Sequence, residues 1–119
     1  MPERAPIIVK FASLEGGALA LAPEGEIGYH EAPAFRVAIK DGYDRRPSRL
    51  IVDLAKVGYM GTPGVATLVE ALQLSKKNGI PLVLCGMTDR VRGVFEIAQL
   101  HKVFRMTPDV AAALLLKAS

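Results

Sequence analysis

Apolar residues fall into two kinds of pattern along this chain. Leu50, Ile51 and Val52, and then most of Ile80 to Cys85, are apolar on consecutive positions. That is expected of strands covered on both faces, because a half-solvated strand alternates apolar with polar. Elsewhere the apolar positions recur at steps of three and four, the period of a helix with one buried stripe. Val65, Leu68, Val69 and Leu72 form the clearest such stripe, and Lys76, Lys77 and Asn78-Gly79 close it, with cations at the negative helix end and a glycine for a left-handed cap. Val91, Val94, Phe95 and Ala98 mark a second helix opened by Thr88, and Val110, Ala111, Leu114 and Leu115 a last one opened by Thr107-Pro108.

Weaker signals fill the remainder. Ile7 to Phe11 and Ala18 to Leu21 read as an antiparallel pair turned at Glu15-Gly16-Gly17. Gly25 and Gly28 break the chain. Glu31 to Lys40 carries Ala32, Phe35, Val37, Ala38 and Ile39 on a short helix, Asp41 to Ser48 reads as a polar loop, and Val103-Phe104 as a short strand. Strands alternating with helices imply βαβ units and a largely parallel sheet, made mixed by the opening pair. The expected fold is α/β: a single domain over residues 1–119, with a four- or five-stranded mixed sheet and about four helices.

Composition narrows the class. Half of the 119 residues are hydrophobic and 23% are charged, which suits a globular core. No apolar run approaches the ~20 residues of a membrane helix, and the opening MPERAPIIVKF lacks a secretory pattern, so a cytoplasmic protein without membrane insertion is expected. The net charge of +3 is too mild to imply nucleic acid, and 6% aromatic residues provide poorly for base stacking.

Candidate chemistry is sparse. Cys85 lies in an apolar strand and reads as an inert core thiol. His30, His101 and Cys85 have no spacing that would join two of them in a metal site. Ser13, Ser48 and Ser75 lack a nucleophile-elbow context, and Asp53 reads as a strand-end carboxylate bonded to loop N–H groups. Gly61-Thr62-Pro63-Gly64 lacks the length and the lysine of a phosphate loop. Arg45, Arg46, Arg49, Arg90 and Arg92 read as solvated faces. Neither a catalytic constellation nor a cofactor is indicated, so an enzyme of unrecognised chemistry is the weakest reading.

The informative stretch is Leu50 to Gly64, where a buried strand ends and a helix begins. Thr62 is expected to cap that helix with Pro63 in its first turn, as Thr107 would before Pro108, leaving free N–H groups facing whatever docks there. Tyr59, Met60 and Val65 flank the loop as apolar residues expected at the surface. A protein-docking site follows, made of Tyr59, Met60, Gly61, Thr62, Pro63, Gly64 and Val65.

LIVDLAKVGYMGTPGVATLVEAL followed by KKNGIPLVLCGMTDRVRGVFEIAQLHKVF resembles the STAS domain, the fold of bacterial anti-sigma factor antagonists, over nearly the whole chain. Members have a V-D-L strand, a D-S-S-G loop, an amphipathic helix, an L-V-L-C-type strand and a G-L-x-x-V-F segment, whose place Gln99 to Phe104 takes here. Gly25, Glu26 and Ile27 match the family's G-E-L-D element. The resemblance implies a non-enzymatic regulator of transcription signalling whose partner is an anti-sigma factor, an ATP-binding protein kinase that phosphorylates the second serine of D-S-S-G.

In this chain Pro63 stands at the phosphorylated serine, Gly61 at the loop aspartate and Gly28 at the aspartate of G-E-L-D. The usual phosphoswitch therefore has no hydroxyl to act on, and Thr62 is left as a poor substitute acceptor. Thr62 and Gly64 also fit the D-T-A-G version in small STAS subunits of bacterial lipid-transport ABC systems, which keeps an accessory-subunit role as the alternative. Other STAS-binding partners and a homodimer also stay open.

Overall fold

The computed structural model describes residues 7–117. In chain order its elements are β1 (Ile8–Ser13), β2 (Leu19–Glu24), β3 (Glu26–Ile27), α1 (Ala32–Asp44), β4 (Leu50–Asp53), β5 (Tyr59–Met60), α2 (Thr62–Asn78), β6 (Leu82–Cys85), α3 (Asp89–Ile97), β7 (Arg105–Thr107) and α4 (Val110–Leu115). Short 3-10 turns at Glu15–Gly17 and Leu100–Lys102 complete the path. The main sheet has five strands in the order β1-β2-β4-β6-β7, and only the β1–β2 pair is antiparallel. The mixed α/β sheet with four helices is thus the one the sequence implies.

Consecutive apolar residues in β4 and β6 are explained by cover on both sides. Leu50, Val52, Leu82 and Leu84 face α1, α2 and α3, where Phe35, Ile39, Leu68, Ala71, Val91 and Phe95 complete the main core. Ile51, Val83 and Cys85 face the other way, onto Ala113 of α4 with Val110 and Leu114 beside it. Side chains alternate across a strand, so a strand with apolar residues at every position needs both layers. Arg49 donates through Nη1 to the carbonyls of Ala113 and Leu114, which ties α4 to the start of β4.

Several local expectations are corrected. Asp41 to Asp44 continues α1 and is not loop, because Gly42 lets the helix lie against the sheet: a Cβ there would stand 3.2 Å from Leu50 Cδ1. Tyr43 in the same turn is buried and its hydroxyl donates to the Ala71 carbonyl at 3.1 Å, joining α1 to α2. Val37 points to solvent, 60% exposed. Val103 and Phe104 lie in the turn after Leu100–Lys102, and the last strand starts at Arg105. In α4 the inward residue is Ala113, whereas Leu115 is 84% exposed. Thr107 belongs to β7, and Asp109 caps α4 by accepting from the Ala112 N–H at 2.8 Å. Thr88 does cap α3, accepting from Val91 N–H at 3.3 Å, and Gly79 (φ +67) closes α2 in the left-handed region.

Candidate functional site

The junction between β4 and α2 is held by a second, two-stranded sheet that pairs β3 with β5 in parallel, Glu26 opposite Tyr59 and Ile27 opposite Met60. Backbone bonds extend the clamp: Gly25 N–H donates to Lys56 O at 2.9 Å and Gly61 N–H to Ile27 O at 2.9 Å. Alternation along β5 sends Tyr59 outward and Met60 inward. Met60 is 1% exposed, so it supports the loop from below and the expectation of a surface methionine is corrected. Gly64 is buried on top of it. A Cβ at Gly64 would stand 2.8 Å from Met60 Cγ, 2.9 Å from Ile27 Cγ2 and 3.1 Å from Ile27 O, so the first turn of α2 rests on β3 at a separation only glycine allows.

Thr62 is not the cap. The Val65 N–H donates to the Gly61 carbonyl at 3.1 Å, so the first helical bond starts one residue earlier and Gly61 occupies the capping position with extended backbone (φ −84, ψ 175). Thr62 becomes the first helical residue and Pro63 the second, where proline's missing N–H leaves no helical bond unmade. The Thr62 side chain is exposed and has no hydrogen-bond partner among the described residues. Pro63 and Val65 are half-buried, and Thr67 turns its hydroxyl back onto the Pro63 carbonyl at 2.9 Å. The predicted loop residues therefore form one unit in two layers. Tyr59, Thr62, Pro63 and Val65 reach its surface, whereas Met60, Gly61 and Gly64 are buried beneath.

Two neighbours complete the site. The guanidinium of Arg90, in the first turn of α3, lies 5.1 Å from the centre of the Tyr59 ring and so brings a cation beside the loop. The turn Gly28–Glu31 enters from the other side, where Glu31 Oε1 accepts the Gly28 N–H at 2.9 Å and Tyr29 stands 77% exposed. From the sequence Arg90 reads as a solvated face, and the turn at Tyr29 and Glu31 is assigned no part in the site. The signal for the second was the match of Gly25-Glu26-Ile27 to a family element, since Ile27 is the residue on which the loop rests.

Asp53 ends β4 with its Oδ1 accepting the Ala55 N–H at 3.0 Å, the loop-turning role read from the sequence. Burial, with Asp53 and Asp109 adding negative charge near by, pushes the Cys85 thiol up to about 12. A thiol that is 1% exposed and so weakly acidic is a poor nucleophile. Among the described residues no group of three or more histidine, cysteine or acidic side chains is placed to hold a metal, and no helix is long and apolar enough to cross a membrane.

Known proteins agree with this geometry. The STAS domain model matches residues 12–113. An anti-sigma-B factor antagonist of Listeria monocytogenes is 30% identical over 82 residues, 69% of this chain and 72% of that protein. The crystal structure of an anti-sigma factor antagonist from Mycobacterium paratuberculosis superposes with a TM-score of 0.84 at 24% identity, covering 92% of each chain. The phosphorylated form of the Bacillus cell fate determinant SpoIIAA superposes with a TM-score of 0.69 at 14% identity, over 92% of this chain and all of that one. The clamped β4–α2 loop, the strand order and the matched span together show that this chain belongs to the STAS domain family.

Proposed function

We propose that this protein is a non-enzymatic, cytoplasmic regulator of the anti-sigma factor antagonist type, which binds a partner protein through the β4–α2 loop and works without the family's serine phosphoswitch. The observation that carries this reading is the loop itself. It is fixed on β3 through Ile27 and raises Thr62 to the surface, and the resemblance matches its Pro63 to the family's phosphorylated serine. A rigid, pre-formed loop loses little entropy on docking. Its apolar rim at Tyr59 and Val65 suits a protein surface better than a small polar substrate. The partner this reading favours is an anti-sigma factor, the class the relatives' names point to, and the family resemblance implies an ATP-binding kinase domain in it.

Calorimetric titration against the anti-sigma kinase domains of the same organism tests this. The expected result is a complex with one of them that forms alike with ATP or ADP, and that Thr62→Arg, a bulky change on an exposed side chain, abolishes. A complete absence of binding, or capture undiminished by Thr62→Arg, would overturn the docking surface.

A further inference from the structure

A groove runs along the outside of the helical layer between α1 and α2, and it begins at the proposed docking loop. Its first part is a depression of about 450 Å³ whose rim includes Tyr29, Val37 and Pro63; Tyr29 is 77% and Val37 60% exposed. Its second part, about 310 Å³, lies further along both helices over Ile39 and Ala71 and is edged by Lys40 and Lys77. Arg36 lines both parts and pairs with Glu70 at 2.9 Å across the groove.

The distribution of character is lopsided. Both parts share Arg36, Thr67 and Glu70, and to these the loop end adds the apolar Tyr29, Val37 and Pro63 with no unpaired charge. The far end is cationic, since Glu70 is the one acid lining either part and Arg36 already neutralises it, leaving Lys40 and Lys77. From Pro63 to Lys77 the axis of α2 rises about 21 Å, the length of a ~14-residue helix. An exposed tyrosine and valine at one end and two solvent-facing lysines at the other complement a segment with apolar side chains at one end and carboxylates at the other.

We infer that the α1–α2 groove receives an acidic amphipathic helix of the partner, whose apolar end seats between Tyr29, Val37 and Pro63 while its carboxylates meet Lys40 and Lys77. This rests on the docking reading and extends it from a loop to an elongated surface. The loop supplies a rigid contact, and the groove selects partners by charge.

Fluorescence anisotropy with two labelled, side-chain-bridged helical peptides of about 14 residues isolates the groove. Both carry leucine and phenylalanine at one end, and the other end bears glutamates in one peptide and lysines in the second. The acidic peptide should bind about fivefold or more tightly than the basic one, as expected for two surface charge pairs, and the preference should shrink with added salt. Lys40→Glu with Lys77→Glu, both at exposed positions, should reverse the preference, and Tyr29→Ala with Val37→Ala should weaken both peptides. Equal binding of the two peptides, no binding of the acidic one below ~1 mM, or a preference that survives the charge reversal would overturn the inference. Thr62 does not line the groove, so Thr62→Arg should leave peptide binding unchanged. A failed peptide experiment beside kinase binding that Thr62→Arg abolishes would refute the groove alone. Peptide selectivity beside kinase binding insensitive to Thr62→Arg would support the groove and refute the loop.

Discussion

Gly64 lies so close to Ile27 that a methyl group in place of its hydrogen would stand 2.9 Å from Ile27 Cγ2 and 3.1 Å from the Ile27 carbonyl oxygen. That contact joins an early strand to the first turn of α2 and sets how far the proposed docking loop rises from the sheet. Gly64→Ala should therefore push α2 away from β3 and destabilise the fold by about 1–3 kcal/mol, the usual range for overpacking a tight contact. Denaturant melts give the stability, and partner titration of the folded fraction should show a weakened complex. Wild-type stability would mean that the helix end slides freely and the loop is not clamped.

The capping assignments separate by hydroxyl. Thr88→Ala should lower stability by about 1 kcal/mol, because its oxygen accepts the Val91 N–H, and Asp109→Ala should cost about as much through the Ala112 N–H. Thr62→Ala should change stability by less than about 0.5 kcal/mol, since its hydroxyl bonds to nothing among the described residues. Equal losses at Thr62 and Thr88 in urea melts would restore Thr62 as a cap.

Much of this fold is legible in the chain, for reasons that also show where reading stops. The runs in β4 and β6 and the stripe of α2 are long enough to display a period, and burial on two faces or one follows from it. Strands β3 and β5 have two residues each and carry no period. Their pairing depends on contacts between Ile27 and Met60, far apart in sequence, so Met60 reads as a surface residue although it is core. Gly42 reads as part of a polar loop because the neighbour it lies against, Leu50, is on another element. The two Thr-Pro pairs share a sequence but not a geometry, since the residue that caps is set by where the first backbone bond closes: Gly61 before one, Asp109 after the other. The proposed docking loop is legible because a polar break between a buried strand and an amphipathic helix is a local signal. Arg90 and Tyr29 join it only through the tertiary fold.

The thiol of Cys85 ties stability to alkaline pH. Its protonation constant moves from the ordinary 9.0 to about 12 on folding, so between these values the native state holds a proton that the unfolded chain has released. With more protons bound in the native state, stability falls as pH rises, by up to about 1.4 kcal/mol per pH unit, and is unaffected by this group below about pH 8. Cys85→Ala should show a shallower alkaline loss than wild type, while the Tyr43 hydroxyl, also pushed up by burial, contributes alike to both. At neutral pH, thiol labelling by a disulfide reagent should proceed only as fast as the protein unfolds. Rapid labelling of the folded protein would show an accessible thiolate and contradict the burial.

The final prediction restores a switch to the loop. Thr62 stands one residue before the position that the resemblance matches to the family's acceptor serine, and successive helical residues are rotated by about 100° and displaced by ~1.5 Å, enough to spoil the in-line approach that phosphoryl transfer demands. Incubation with the partner kinase and ATP should therefore leave the wild-type protein unmodified by mass spectrometry. Gly61→Asp combined with Pro63→Ser puts a hydroxyl at the acceptor position and an acid beside it. The backbone accepts the change: Gly61 has a negative φ, and the nearest atoms to a Cβ there are Tyr59 Oη at 3.4 Å, Tyr59 Cε2 at 3.5 Å and Pro63 Cδ, itself removed by the second substitution, at 3.7 Å. The aspartate would also cap α2, which should keep the double variant at least as stable as the parent. It should become phosphorylated and, once modified, lose its partner, because a charge near −2 is being set against an apolar contact surface. Stoichiometric phosphorylation of wild-type Thr62 would show instead that the hydroxyl freed by the Gly61 cap already serves as the acceptor, and the protein would then be a switched regulator.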